Sequence, residues 1–134
     1  MNTELAPLLA IVRDVLRDRH DVHLALLFGS QATGRARPDS DIDLAVEGEN
    51  LDRLALARDL SLATRHEVDV IDLGSAGYPL LNAIARDGVF VHQGRPGAAG
   101  RWLSRTITEL ETDRPNYERM RDGYLRKLAA GVHG

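Results

Sequence analysis

The chain has 134 residues, of which 43% are apolar and 28% charged, so it can bury the core of one domain but cannot hold two enzyme domains. It contains no cysteine, which excludes disulfides and thiolate metal sites. The net charge of −3 is uneven, because residues 1 to 94 hold 15 acidic and 9 basic side chains, whereas residues 95 to 134 hold 5 and 8.

The N-terminal segment predicts a helix that packs on a sheet. Between residues 4 and 19, apolar side chains recur at helical spacing, at Leu5, Leu8, Leu9, Val12, Val15 and Leu16. Pro7 lies in the first turns, where a helix tolerates proline. The segment lacks the basic stretch and apolar run of a secretory signal, and no run of 18 apolar residues occurs anywhere. We therefore expect a cytosolic protein that does not contact a membrane.

A strand and a polar loop follow. Val22 to Phe28 is a nearly continuous apolar run, typical of a strand that is covered on both faces. Gly29 would let the backbone approach a phosphate closely, and Ser30, if it opens a short helix, would add a hydroxyl and free N–H groups. Arg35 and Arg37 in the loop have guanidinium groups that match phosphate geometry, but the sequence fits solvent-exposed arginines equally well.

A second predicted strand runs from Asp41 to Val46. Because side chains alternate faces along a strand, Asp41 and Asp43 share one face about 6.5 Å apart, and the apolar residues between and after them take the other. Mg²⁺ is typically held by one or two such carboxylates together with substrate phosphates. An Asp-x-Asp near a proline is often only solvated loop, so the interpretation rests on its combination with the preceding Gly-Ser turn.

A crossover helix and a third strand come next. Gly48 and Asn50 break the chain, residues 51 to 65 predict the helix, and residues 67 to 73 predict the strand. The helix would return the chain to the same sheet.

The third strand offers another carboxylate. Val68 and Val70 share one face, which places Asp69 on the opposite face. Glu67 has the same parity as Asp69 and is the alternative. Asp72 has the other parity and stands where aspartate commonly caps a turn, so we interpret it as structural.

The remaining elements complete a small domain. Residues 78 to 87 predict a helix that ends at Gly88, and residues 89 to 92 predict a fourth strand. Residues 94 to 100 form the only linker-like stretch, so we divide the chain into a domain over residues 1–94 and an extension after it. The order of elements indicates an α/β fold, with a small mixed sheet of about four strands flanked by helices.

The C-terminal extension, residues 95–134, is predicted to be helical. One apolar stripe precedes Pro115 and another follows it: Trp102, Leu103, Thr106, Ile107 and Leu110, then Tyr117, Met120, Tyr124, Leu125 and Leu128. Such stripes are typical of a core or a dimer face rather than of a cofactor site. The excess basic charge fits a solvated helical face, and an anionic partner is the alternative.

Several of these residues occur together in a known family. Gly29, Ser30, Asp41 and Asp43, with Ser40 before the aspartates and Leu44 after them, resemble the signature of the DNA polymerase β-like nucleotidyltransferase superfamily. The short chain resembles the minimal nucleotidyltransferases found as antitoxins beside HEPN-domain toxins. The resemblance covers residues 1 to about 95 well and the rest more loosely.

The resemblance implies a mechanism. ATP is the expected substrate, with two Mg²⁺ ions on Asp41, Asp43 and Asp69, and Asp69 is expected to help activate the attacking hydroxyl. The residues expected around the nucleotide are Gly29, Ser30, Ser40, Arg35 and Arg37.

The resemblance also implies an acceptor. Related antitoxins transfer AMP to a tyrosine of the HEPN toxin, so we expect such a toxin as partner and no direct contact with nucleic acid. One alternative is a non-catalytic antitoxin that acts by binding alone, against which the complete set of carboxylates argues. Another is an enzyme that modifies a small molecule, but related enzymes of that kind usually carry a larger second domain, and only about 40 residues remain here.

Overall fold

A computed structural model describes residues 5–29, 32 and 41–132. The elements within these residues are α1 (Leu5–Arg17), β1 (Val22–Phe28), β2 (Ile42–Gly48), α2 (Arg53–Thr64), β3 (Val68–Asp72), a short 3-10 helix (Leu73–Ser75), α3 (Tyr78–Asp87), β4 (Val89–Gln93) and α4 (Ala98–Val132). The strands form one sheet in the order β3-β2-β1-β4. The predicted α/β fold with a four-stranded sheet flanked by helices is confirmed.

The sheet is mixed. Strand β1 is antiparallel to β2 and to β4, whereas β2 and β3 are parallel. Parallel neighbours require a long crossover, which α2 supplies. The helix begins after Asp52, whose side chain accepts a hydrogen bond from the N–H of Ala55 at 3.1 Å, and ends at Arg65 in a left-handed conformation. It therefore starts two residues later than predicted, because Asp52 is its N-cap.

The strand boundaries differ slightly from the predicted ones. Strand β2 starts at Ile42, whose N–H donates to the carbonyl of Glu67 at 2.8 Å, so Asp41 lies just before the strand. It continues to Gly48, where the chain passes so close to the carbonyl of Asp21 that a Cβ would clash. Strand β3 is one residue shorter at each end than predicted.

Two apolar clusters cover the two faces of the sheet. Helices α1 and α2 cover the first face with Val12, Leu16, Leu56 and Leu60. Helices α3 and α4 cover the second face with Leu81, Ile84, Ala98 and Trp102. Strand β1 contributes side chains to both clusters, which explains its uninterrupted apolar sequence and confirms the predicted burial on both faces.

Helix α3 and strand β4 have the predicted start points. Gly88 ends α3 with a φ of −67°, so the left-handed conformation is not the reason for glycine here. A Cβ at Gly88 would instead clash with the carbonyl of Ile84. Strand β4 forms one edge of the sheet, and Arg13 on α1 donates a hydrogen bond from Nε to the carbonyl of Val91 at 3.2 Å.

Helix α4 begins earlier than the predicted linker allows. The turn comprises residues 94–97, and Gly97 has a φ of 79°. Trp102 is buried in the second cluster and packs edge-on against the ring of Phe90, with 6.0 Å between the centroids. The helix then continues through Pro115 to Val132, so both predicted stripes belong to one helix. Among the described helices, none combines the length and hydropathy needed to cross a bilayer.

Candidate active site

The sheet places two of the predicted carboxylates side by side. Asp43 on β2 pairs with Phe28 on β1 and with Asp69 on β3, so the three residues form one row across the sheet. Paired residues on neighbouring strands, which lie about 4.8 Å apart, direct their side chains to the same face. Asp43 and Asp69 are therefore adjacent on the second face, at the N-terminal ends of the two parallel strands.

Gly29 follows β1 directly and brings the backbone against Asp43. Its φ of 77° lies in the left-handed region that favours glycine. A Cβ at this position would also clash with Oδ2 of Asp43. The turn after β1 therefore lies directly against the carboxylate of Asp43 on β2.

The electrostatics of Asp43 differ from those of an ordinary surface aspartate. Its pKa is raised, first by burial, then by repulsion from Asp69, and then by repulsion from Asp41. Each of these causes penalises the charged form of the carboxyl group. A cation among the three carboxylates would remove the penalty, so the arrangement favours cation binding.

Asp41 and Glu67 stand at the margin of this row. Asp41 is exposed immediately before β2 and acts on Asp43 through its charge. Glu67 precedes β3, and its carbonyl accepts the first hydrogen bond of the β2–β3 pair. The register therefore places Asp69, rather than the alternative Glu67, opposite Asp43.

Four predicted nucleotide-binding residues lie outside the described part of the chain. They are Ser30, Arg35, Arg37 and Ser40. Their roles stay predictions. The short helix predicted to begin at Ser30 falls in the same region.

No group of three or more His, Cys, Asp or Glu side chains within the described residues is close enough together to hold a metal ion. The chemistry of the donor set nevertheless fits Mg²⁺, which prefers carboxylate oxygens and fills its remaining positions with water and phosphate oxygens.

Asp72 has the structural role that its parity predicted. Its carboxylate accepts hydrogen bonds from the N–H of Gly74 at 3.0 Å and from the hydroxyl of Ser75 at 2.8 Å. These two hydrogen bonds lower the pKa of Asp72, the one from Ser75 having the larger effect. Asp72 therefore belongs to the turn after β3, whereas Asp69 on the same strand lies beside Asp43.

Phe28 was not singled out as a site residue, although it is the other neighbour of Asp43 in the row. It is partly buried against the second apolar cluster. An apolar ring beside a carboxylate contributes to the burial that raises the pKa of Asp43. The signal in the sequence was its position as the last strand residue before Gly29.

A family model described as polymerase beta, nucleotidyltransferase, matches residues 11–95, which include all four strands and the three aspartates. The protein adenylyltransferase MntA of Shewanella oneidensis is 37% identical over 79 residues, which are 55% of this chain and 57% of MntA. The match therefore spans little more than half the length of that curated relative.

Solved structures share the fold over a longer stretch. A chain in a crystal structure of a toxin–antitoxin with AMP-PNP is 26% identical and has a TM-score of 0.74, covering 87% of this chain and 98% of that chain. A chain in a structure of tri-AMPylated Shewanella oneidensis HEPN toxin in complex with MNT antitoxin is 24% identical, with a TM-score of 0.71 over 90% of this chain and 98% of that chain. The second likeness concerns the fold alone.

Proposed function

Because the chain belongs to the polymerase beta nucleotidyltransferase family, we propose that it is a metal-dependent nucleotidyltransferase that transfers AMP from ATP to a hydroxyl acceptor. The observation that supports this most directly is the register of Asp43 beside Asp69, with Asp41 one step before the strand. Gly29 at the same end of the sheet lies against Asp43 and has no side chain that would keep a phosphate from its backbone.

The proposed metal ligands are Asp41, Asp43 and Asp69. Bound Mg²⁺ would stabilise the charge that develops on the attacking and leaving oxygens, and two ions could share the three carboxylates. Asp43 is central in this set because it is the half-buried member, and burial together with the charges of Asp69 and Asp41 raises its pKa. A bound cation would therefore stabilise its anion.

The bond changes follow from this placement. The acceptor oxygen attacks the α-phosphorus in line, the bond from that phosphorus to the bridging oxygen breaks, and pyrophosphate leaves. Asp69, which is exposed on the edge strand β3, is placed to accept the proton of the acceptor hydroxyl. Gly29 and Ser30 would lie along the phosphates, with Ser40, Arg35 and Arg37 as the further predicted contacts.

The acceptor we propose is a tyrosine of a HEPN-domain toxin. The curated relative is named a protein adenylyltransferase, and a chain of similar fold occurs with a HEPN toxin that is tri-AMPylated. A binding-only antitoxin is the second candidate, and the long exposed part of α4 favours it, because such a surface suits a protein partner. A small-molecule acceptor is less suited, because residues 98–132 form one helix rather than a globular unit that could enclose it.

Intact-mass analysis tests the proposal. The protein, ATP, Mg²⁺ and a cognate HEPN-domain protein should yield a partner that is heavier by roughly 329 Da per event, since α-phosphate attack transfers the adenylyl group. Asp43→Asn should abolish the added mass, whereas Glu47→Gln, which removes a carboxylate from the same strand and face, should not. An unmodified partner that is still neutralised by Asp41→Asn and Asp43→Asn proteins would favour the binding-only antitoxin instead.

A further inference from the structure

Helix α4 consists of two parts with different surroundings. In its first turns, Ala98, Trp102 and Thr106 are buried against the sheet, and Arg105 forms an ion pair with Glu47 at 2.9 Å. From residue 111 onward the described side chains are exposed, apart from the half-buried Gly123. The second part, residues 111–132, is about 33 Å long.

A helix segment of this kind is poorly stabilised by itself. Isolated helices are marginal in water, and most helical stability in proteins comes from packing of one face. The segment also contains Pro115 and Gly123, and proline and glycine are the two least favourable residues in a helix interior. Its one ion pair among the described residues joins the neighbours Arg121 and Asp122 at 3.4 Å. The segment therefore needs a surface against which to pack.

One face of α4 has the composition of such a contact. Leu103, Ile107, Arg114, Arg121 and Leu125 are all exposed. At 100° per residue they fall within an arc of about 40°, so they form one straight stripe along the helix. The stripe is apolar at both ends and basic in the middle. Arginine between apolar residues is typical of protein interfaces, whose centres are rich in arginine and poor in lysine.

We infer that this α4 stripe, defined by those five residues, is the docking surface for the HEPN-domain partner, an inference that rests on the proposed function. Charge identifies the matching surface on the partner. The stripe holds two basic side chains, Arg114 and Arg121, and no acidic one, so the partner should present acidic side chains opposite this basic stretch, between two apolar patches. A second copy of this chain would set the arginines of the stripe against the same basic stretch.

Docking and chemistry would then occupy different parts of the molecule. Arg105 contacts Glu47, which follows Asp43 by four residues on β2, or about 13 Å along the strand. The helix is thus anchored at the end of β2 opposite the carboxylate row. The stripe should therefore control affinity for the partner, while the aspartates control the rate of transfer.

Two charge-reversal double variants distinguish the contribution of the stripe to binding from that of the rest of the helix. Arg114→Glu with Arg121→Glu places the change in the middle of the stripe. Arg119→Glu with Arg126→Glu makes the same change in charge on exposed residues that lie about 120° to 140° around the helix from the centre of the stripe. Both double variants are combined with Asp43→Asn, so that binding is measured without transfer, and circular dichroism checks their helix content.

Binding to the cognate HEPN-domain protein, measured by calorimetry, should weaken at least about 30-fold for the stripe variant and less than about threefold for the control. Amide hydrogen exchange across residues 111–132 should slow in the complex. This measurement uses the protein without substitutions in the stripe. Equal loss in both variants, no protection of this segment, or a homodimer that depends on the stripe would overturn the inference. If wild-type protein transfers no AMP but binding still depends on the stripe, the proposed function fails and the docking surface stands.

Discussion

The parallel strands β2 and β3 carry carboxylates at both ends, and the surroundings of the two sets differ. At the C-terminal ends, Glu47 is paired with Arg105 at 2.9 Å, and Asp72 accepts hydrogen bonds from Gly74 and Ser75. At the N-terminal ends, Asp43 is half-buried with Asp69 as its neighbour, and repulsion contributes to its raised pKa. Donors compensate the carboxylates at the C-terminal ends, whereas among the described residues the causes that act on Asp43 all penalise its anion, as is typical of a site that binds a cation.

The largest effect is expected from Asp43→Asn or Asp41→Asn. Either change removes a proposed metal ligand that supports several kcal/mol of charge stabilisation, so AMP transfer should fall at least about 10³-fold. The melting temperature without Mg²⁺ should stay the same or rise slightly, because a repelled carboxylate is lost. Glu47→Gln should do the reverse, with nearly normal transfer and a small loss of stability. A large fall in melting temperature for the Asp43 variant would mean that this carboxylate is structural.

A smaller effect on transfer, roughly 10²-fold, is expected from Asp69→Asn, since its main proposed contribution is proton transfer. Nucleotide affinity, measured by fluorescence titration, should change little, because Asp41 and Asp43 remain. Glu67→Gln is the matched control. It removes an exposed carboxylate two residues before Asp69, where the alternation of side chains points to the same face of the sheet. If Glu67→Gln loses transfer and Asp69→Asn retains it, the two assignments must be exchanged.

Thermal unfolding should reveal shared ligation at the carboxylate row. Mg²⁺ and ATP together should stabilise the protein more than the sum of their separate effects, to a total of about 2.7 kcal/mol when the concentration of Mg²⁺–ATP is 100 times its Kd. The phosphates and the aspartates would then ligate the same ion. Asp43→Asn should remove the extra stabilisation and Glu47→Gln should keep it. Purely additive shifts in the wild-type protein would argue against a common site.

Much of this comparison was predictable from sequence, because strand parity is a local property. The alternation of Val68 and Val70 with Asp69 fixed which face each side chain takes, and Asp72 was correctly separated from its neighbours. The predicted start of β2 is one residue too early. The strand begins at Ile42, whose N–H donates to the carbonyl of Glu67, a residue distant in sequence.

Other features depended on long-range packing. The pKa of Asp43 is raised because Asp43 has a central place between β1 and β3, and the order of strands in a sheet is not a property of any one segment. Residues 94–100 looked like a linker because they contain Gly and Pro, yet Ala98 is buried in the second cluster and begins α4. Glycine and proline report local backbone preference, and burial of a nearby alanine can override it.

The smallest expected effect is a difference of sign in the pH dependence of stability. The folded-state pKa of Asp43 is raised, so its favourable contribution is present below the unfolded value of about 3.9 and is lost as pH rises through the folded value. The folded-state pKa of Asp72 is lowered, so its contribution is present above about 3.9 and is lost as pH falls through the folded value.

Urea unfolding of Asp43→Asn and Asp72→Asn proteins between pH 3 and 7, without Mg²⁺, measures the contributions of the two carboxyl groups to stability separately. At pH 7 the Asp43 variant should be more stable than the wild type and the Asp72 variant less stable, each by less than about 1 kcal/mol because both sites are reached by solvent. The Asp43 difference should shrink as the pH falls through the raised pKa of that carboxyl, and the Asp72 difference should persist to lower pH, because the pKa of Asp72 is lowered. Mg²⁺ with ATP at pH 7 should reverse the first difference and leave the second unchanged. Two differences of the same sign would mean that the ends of β2 and β3 are electrostatically alike, and that the carboxylate row is not a cation site.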